Sequence, residues 1–339
     1  MNPSDEAAEL YRAFVKRPAS VPYPPLEPLG GVYKSAPEDF IVEEQSLYDP
    51  DGRPGHRYLW VEKRNISTAE LVRLIARDLG IEVNTIGTAG LKDSLAVTRQ
   101  WVSVPDRVDL DLLTGEGYAV KETYQNSRKL KTGELVGNRF RIIVRGANRV
   151  SALPERLPNY FGAQRFGTKE DTHEKGFERL RSGYADRSRL TRLELSAAQS
   201  ALFNAYLAKR VDDNVWQTVI DGDPLIRRRS GGTYFGSDRQ DATDRGIAII
   251  AGPMFGPRME PSSGEARQRE LDALAAAKVD EGQFARLERI TPGTRRPLWI
   301  ELEHSSARET EPGQVELRFS LPAGAYASVV LAALGVQHA

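Results

Sequence analysis

The 339-residue sequence contains no cysteine. That absence excludes disulfides, thiol nucleophiles and zinc sites built on thiolates. Histidine is scarce: His56, His173, His304 and His338 lie far apart and in no metal-ligand spacing, so no metal site is expected. Long apolar runs are missing as well. The acidic N-terminus, MNPSDEAAELYRAF, lacks the apolar stretch of a signal peptide, and AYASVVLAALGV near the other end is far too short to span a bilayer. The expectation is a cytoplasmic protein with neither membrane nor metal among its partners. Finally, there is no excess of charge of one sign, since 47 Lys and Arg balance 47 Asp and Glu. On that crude count a polyanion is a poor partner.

The distribution of charge says otherwise. RKLKTGELVGNRFRIIVRGANR, from Arg128 to Arg149, holds Arg128, Lys129, Lys131, Arg139, Arg141, Arg145 and Arg149 against Glu134 alone. Arg227–Arg228–Arg229 and Arg295–Arg296 form two smaller clusters. Phosphate contacts are local, so a neutral chain with basic faces can hold a polyanion, although a solvated basic strand or loop would show the same pattern.

What is present is ordinary globular material: 40% apolar and 28% charged residues, enough to bury a substantial core, in a length that suits two domains. The first thirty residues suggest a short amphipathic helix and then a proline-rich arm. GVYKSAPEDFIVEEQSLY and HRYLWVEKRN look like strands around a DPDGRPG turn. Ser67 to Glu70 reads as a capping box, with Leu71, Leu74, Ile75 and Leu79 at helical spacing up to Gly80. RQWVSV, YAVKETYQ and RFRIIVRG read as further strands. In the middle, Ser196 with Gln199 suggests a second capping box, and Leu202, Phe203, Tyr206, Leu207 and Val211 line one helical face. Glu265 to Val279 reads as another helix. Strands return at WIELEH and QVELRFSLPA, before a last helix near Ser328 to Leu334. A strand-rich start and end around a more helical middle suggest one sheet domain with an insertion. SGGTYFG has neither the Walker nor the dinucleotide spacing and receives no phosphate role.

GTAGLKDSLAVTRQWVSV, from Gly87 to Val104, sets Lys92 and Asp93 side by side at a turn. An aspartate there can simply bond the following amides. It can also be a carboxylate aimed into a cleft and kept ionised by its cationic neighbour, able to act as nucleophile or base. A glycosidase would need a second carboxylate. Glu38, Asp39, Glu43 and Glu44 are candidates for it, but PEDFIVEE equally suits a turn into a strand.

Several stretches, in order, resemble one family, the TruD-type tRNA pseudouridine synthases. Lys34 with PEDFIVEE (Pro37 to Glu44) resembles its first motif, and AGLKDSLAVTRQW (Ala89 to Trp101) its catalytic motif. VGNRF (Val136 to Phe140), PNYFGAQRFG (Pro158 to Gly167), LSAAQSALFNAYLAKRV with DGDPL (Leu195 to Leu225), and LPAGAYASVV (Leu321 to Val330) are similar to further family segments. Pro257 to Arg296 shows little likeness, so no residue is carried over from it.

The resemblance implies an isomerase without cofactor that acts on tRNA, at uridine 13, with Asp93 as its catalytic carboxylate. It leaves open attack on the base, attack on the sugar, and elimination to a glycal. It also implies that Phe140 and Tyr326 sandwich a flipped-out base, with Phe40 nearby. Asn138 would read the uracil edge, Lys92 would shape the field at Asp93, and Lys34, Arg139, Arg141, Gln164 and Arg165 would contact RNA. Where this chain has Tyr326 the family usually has phenylalanine; the ring is kept and a hydroxyl is added that needs a partner. The implied fold is α/β of the α+β kind: a pseudouridine-synthase-like, largely antiparallel sheet with flanking helices, formed by residues 1–156 and 291–339, with an inserted domain at 157–290. A monomer is expected. The competing reading is a tRNA-binding chaperone without catalysis, which has no need of Asp93.

Overall fold

The computed structural model describes residues 3–92, 95–186, 188–228, 232–234 and 236–339. In chain order its elements are α1 (Pro3–Lys16), β1 (Val32–Tyr33), β2 (Phe40–Ser46), β3 (His56–Arg64), α2 (Thr68–Leu79), β4 (Gly87–Thr88), β5 (Val97–Pro105), β6 (Tyr118–Asn126) and β7 (Leu135–Arg145). Then come β8 (Arg156–Pro158), α3 (Thr172–Ser182), α4 (Arg189–Asp212), β9 (Leu225–Arg227), α5 (Arg239–Asp244), β10 (Ala248–Met254), α6 (Gly264–Ala276), α7 (Glu281–Arg286) and β11 (Thr294–Pro297). The last elements are β12 (Trp299–Glu301), β13 (Glu303–Glu311), β14 (Gln314–Pro322), α8 (Ala327–Ala333) and β15 (Gln337–His338). None of the helices is long and apolar enough to cross a membrane, among the described residues.

Two compact units result. One comprises Glu27–Glu155 and Glu301–Ala339, the other Met1–Leu26 and Arg156–Ile300. The first is built on a mixed sheet in the order β13-β14-β7-β2-β5-β3-β6, with β1 joining β7 to β15 and β4 adding to β5. Only the β2–β5 and β1–β15 pairings of this sheet are parallel among the described residues. Period-two alternation builds it: Phe40, Val42 and Glu44 of β2, Phe140, Ile142 and Val144 of β7, and Val315, Leu317 and Phe319 of β14 are all buried. α2 covers the β3–β5 part of this apolar side, where Leu71, Ile75 and Leu79 pack with Leu59, Val61, Val102 and Val104. Burying each such side chain stabilises by about 1.5–3 kcal/mol. The Ser67 hydroxyl accepts the Glu70 N–H at 3.1 Å, and Gly80, at φ 61°, ends the helix in the left-handed conformation.

The second unit centres on α4. Its N-cap is Ser188, not Ser196 as the spacing suggests, and the helix already runs at Arg189. The apolar face expected for it is also only part of its contact surface. Ala197, Ala198, Ser200, Ala201, Asn204, Ala205 and Ala208 are buried alongside Leu202, Phe203 and Tyr206, so the helix is enclosed on all sides and its small residues let neighbours approach. α1 packs on α4 and α6 through a buried Tyr11 and Val15, and β11 pairs with β10. Residues 1–26 and 291–300, assigned by sequence to the sheet domain, therefore group with the middle of the chain.

Candidate active site

Asp93, the residue on which the sequence argument turns, lies outside the described residues. The Lys92 ammonium lies 2.7 Å from Glu44 Oε2, with side chains only 5% and 0% exposed. The Lys92 N–H donates to Thr68 Oγ1 at 2.8 Å, and the Thr68 hydroxyl donates to Gln100 Oε1 at 2.9 Å. β2 and β5 pair in parallel only over Ile41–Glu43; one residue further, the Glu44 carboxylate takes over and accepts the Trp101 N–H at 3.3 Å. Burial pushes the Glu44 carboxyl above its ordinary range, and the Lys92 charge opposes that shift. The Lys92 charge is thus paired with that of Glu44. Sequence reasoning gives Glu44, Thr68 and Gln100 no such place. The signal available was an acid at an inward position of an alternating strand, in step with Phe40 and Val42.

Asn138 sits directly opposite Glu44 across the β2–β7 ladder, and opposite Leu321 on β14. Side chains of paired residues share a face, so Glu44, Asn138 and Phe140 line one side of the sheet. Asn138 Oδ1 is buried with no hydrogen-bond partner among the described residues. Such an orphan acceptor is uncommon. The strands meet closely here: a Cβ on Gly137 would lie 2.1 Å from the Leu321 carbonyl oxygen, which only glycine avoids.

Phe140 stands 6.0 Å from Phe40 and 5.4 Å from Phe319, ring centroid to centroid. Phe40 and Phe140 are buried, so most of their surface already packs on neighbours. Lys34 holds a left-handed φ of 64° and places its ammonium 4.3 Å from the Phe40 ring centre. Tyr326 is the half-buried N-cap residue of α8. The turn leading to it leaves β14 beside Gly137, where the Ala323 N–H donates to the Val136 carbonyl at 2.9 Å. Gln164 and Arg165 belong to the other unit, on the short 3-10 turn Ala163–Phe166. Gln164 is exposed, whereas Arg165 bonds Ser200 Oγ at 3.1 Å and also Ser196.

The basic run is less basic in space than in sequence. Arg128 pairs with Glu134, Arg141 with Glu316, Arg145 with Asp39, and Arg149 with Glu27, while the Lys129 ammonium donates to the Asn84 carbonyl. Arg139 is exposed, and its side chain has no ion-pair or hydrogen-bond partner among the described residues. Arg139 and Arg141 alternate with Asn138 and Phe140 along β7 and so point to the opposite side of the sheet. In the Arg295–Arg296 cluster the side chains turn inward: Arg295 pairs with Glu270 and Arg296 lies over the Phe161 ring at 4.1 Å.

Arginines converge on Glu316: Arg318 Nε at 2.8 Å, Arg141 Nε at 2.5 Å and Arg308 Nε at 2.9 Å. These bonds, that of Arg318 foremost, lower the Glu316 carboxyl to about 2. A carboxyl depressed on folding contributes stability that is present above its unfolded value and lost as pH falls through the folded one. Glu316→Gln should therefore be less stable than wild type at pH 7. The gap should close between about pH 4.5 and pH 2, read from urea midpoints of both chains across that range. A gap that stays constant with pH would refute the role of these bonds.

PEDFIVEE also speaks to the second carboxylate of a glycosidase. Glu38 pairs with Arg64, Asp39 with Arg145, Glu43 with Arg99 and Glu44 with Lys92, so each acid of this segment already holds a cation.

Comparison with known proteins decides the family. The sequence model described as tRNA pseudouridine synthase D (TruD) matches residues 24–187 and 184–334. The chain belongs to this family. The match runs through 257–296, where the sequence alone shows no motif. The tRNA pseudouridine synthase D of Anaeromyxobacter sp. (strain Fw109-5) is 39% identical, over 89% of this chain and 91% of that protein. A counterpart from Thermus thermophilus is 34% identical, over 94% and 93%. A solved structure from Methanosarcina mazei, described as a putative tRNA pseudouridine synthase D (TruD), superposes with a TM-score of 0.73 over 95% of this chain and 97% of that one. At 22% identity it speaks to the fold, a mixed sheet with flanking helices as expected from the sequence. Membership makes the chain an isomerase, a pseudouridine synthase of tRNA modification.

Proposed function

We propose that this chain converts uridine 13 of tRNA to pseudouridine, with the Asp93 carboxylate acting on a uridine turned out of its stack. The observation that carries the reading is the meeting on one sheet face of Lys92, which precedes Asp93, with Asn138 and Phe140. Extraction of the base costs roughly a few kcal/mol. Stacking on an aromatic face returns about 1–3 kcal/mol. Phe140 and Tyr326 are assigned that task, with Phe40 behind Phe140. The orphan Oδ1 of Asn138 suits the N3–H of uracil, and its amide nitrogen an adjacent carbonyl. Lys34, Gln164 and Arg165 are assigned to RNA contacts.

The reaction balances without redox change or energy input. The N1–C1′ bond breaks, a C5–C1′ bond forms, the C5 hydrogen leaves as a proton, and N1 takes one up. Uridine tritiated at C5 within tRNA should therefore lose its tritium to water as pseudouridine forms. A glycosidase would instead release uracil that retains the label, and that outcome would overturn the reading.

Arg139 and Arg141 are assigned to phosphates on the other side of the sheet from the base. Arg139→Glu and Arg141→Gln should each flatten the dependence of log tRNA affinity on log salt by about one unit of slope. An unchanged slope removes this assignment and leaves that of Asp93 intact.

A further inference from the structure

The geometry points to Glu44 as a positioning residue of the isomerase: its buried carboxylate, paired with Lys92, fixes the turn that leads into Asp93. This rests on the assignment of Asp93 proposed above. Lys92 is held at two points. Its ammonium meets Glu44 Oε2 at 2.7 Å where solvent does not reach, and its main-chain N–H meets Thr68 Oγ1 at 2.8 Å. Thr68 opens α2 and is itself tied to Gln100 on β5. Glu44 is held in turn by the Trp101 N–H. Helix α2 and strands β2 and β5 thus converge on one residue, the one that immediately precedes Asp93 in the sequence. Gly90 leaves room for the pair: a Cβ there would come within 3.0 Å of the Lys92 ammonium and 3.5 Å of Glu44 Oε2.

The pairing also decides what Lys92 does. An ammonium matched by a buried carboxylate adds little net field at Asp93, so its work is to hold the backbone. Removing the Glu44 charge and removing the Lys92 charge should then have the same effect, and removing both should do no further harm. Independent contributions to the field would multiply instead.

The test compares wild type with Glu44→Gln, Lys92→Met, the double variant, Lys92→Arg and Asp93→Asn, all at a temperature below their melting. Single-turnover pseudouridine formation and tRNA affinity are measured for each. A catalytic group displaced by about 1 Å loses about 100-fold in rate, so that fall is expected for Glu44→Gln and for Lys92→Met, and for the double variant no more than for either. Affinity should change by less than about twofold, since the loss falls on the chemical step and not on binding. Lys92→Arg, which keeps a cation on Glu44, should recover most of the rate. A merely structural pair would lower the melting temperature and leave the rate alone. If the single variants do not fold, the double variant, which leaves no buried charge unpaired, carries the test. A wild-type rate in that variant, or effects that multiply, overturns the proposal. An inactive Asp93→Asn beside a fully active Glu44→Gln removes only the positioning role; an active Asp93→Asn removes the assignment on which it rests.

Discussion

Asp93→Asn is expected to lose at least about 10³-fold in the single-turnover rate of pseudouridine formation, which is about 4 kcal/mol of transition-state stabilisation. Asparagine matches aspartate in size and in its ability to bond the amides of a turn, so the local chain has no reason to rearrange. What it lacks is the negative charge, and with it the capacity to attack carbon or accept a proton. Affinity for tRNA should stay near that of wild type, because the phosphate contacts assigned here lie on other residues. Filter binding and tritium release from C5-labelled tRNA separate the two quantities. A variant that binds and still turns over within about tenfold of wild type would reduce Asp93 to a turn residue.

Arg210→Met is expected to destabilise its unit by about 3–5 kcal/mol, because it leaves a buried carboxylate without its cation. Arg210 and Asp223 are fully enclosed, with Nη1 to Oδ1 at 2.6 Å and Nη2 to Oδ2 at 3.0 Å. The same guanidinium donates to the Val215 and Thr218 carbonyls at 3.0 and 2.7 Å and to the Tyr206 hydroxyl at 3.0 Å. Arg210 thus pins the chain leaving α4 to the DGDPL segment. Natural domains are stable by only about 5–15 kcal/mol in all, so the loss should be visible as a fall in melting temperature of roughly 10 °C. Arg210→Met combined with Asp223→Leu should recover much of it, since no lone charge is then buried. Thermal and urea unfolding of wild type and both variants checks both statements. An Arg210→Met chain within about 1 kcal/mol of wild type would contradict the account.

The sequence is most legible where a local pattern and a local signal agree. α2 is the clearest case: Leu71, Leu74, Ile75 and Leu79 recur at helical spacing between a cap at Ser67 and a stop at Gly80. α4 is less so: a helix buried all round has no single apolar stripe, and Ser196 imitates a cap from inside it. Charge is the least legible property. Arg141 and Glu316 are 175 positions apart and Arg145 and Asp39 are 106 apart, so a count over a short window cannot show that the basic run is matched. At the site, Lys92 and Asp93 stand out through a motif, and Asn138 through resemblance alone. Glu44 is visible in the parity of β2, but its partner is not, because the contact that brings Lys92 to it is tertiary.

The central claim is isomerisation of one uridine in tRNA. A nucleotide-resolution pseudouridine map of tRNA, taken before and after incubation with the purified wild-type chain, tests it most directly. One new pseudouridine, at position 13, with the tRNA otherwise unchanged and no uracil released, is the predicted result. A tRNA that binds tightly and emerges with no new pseudouridine would contradict it.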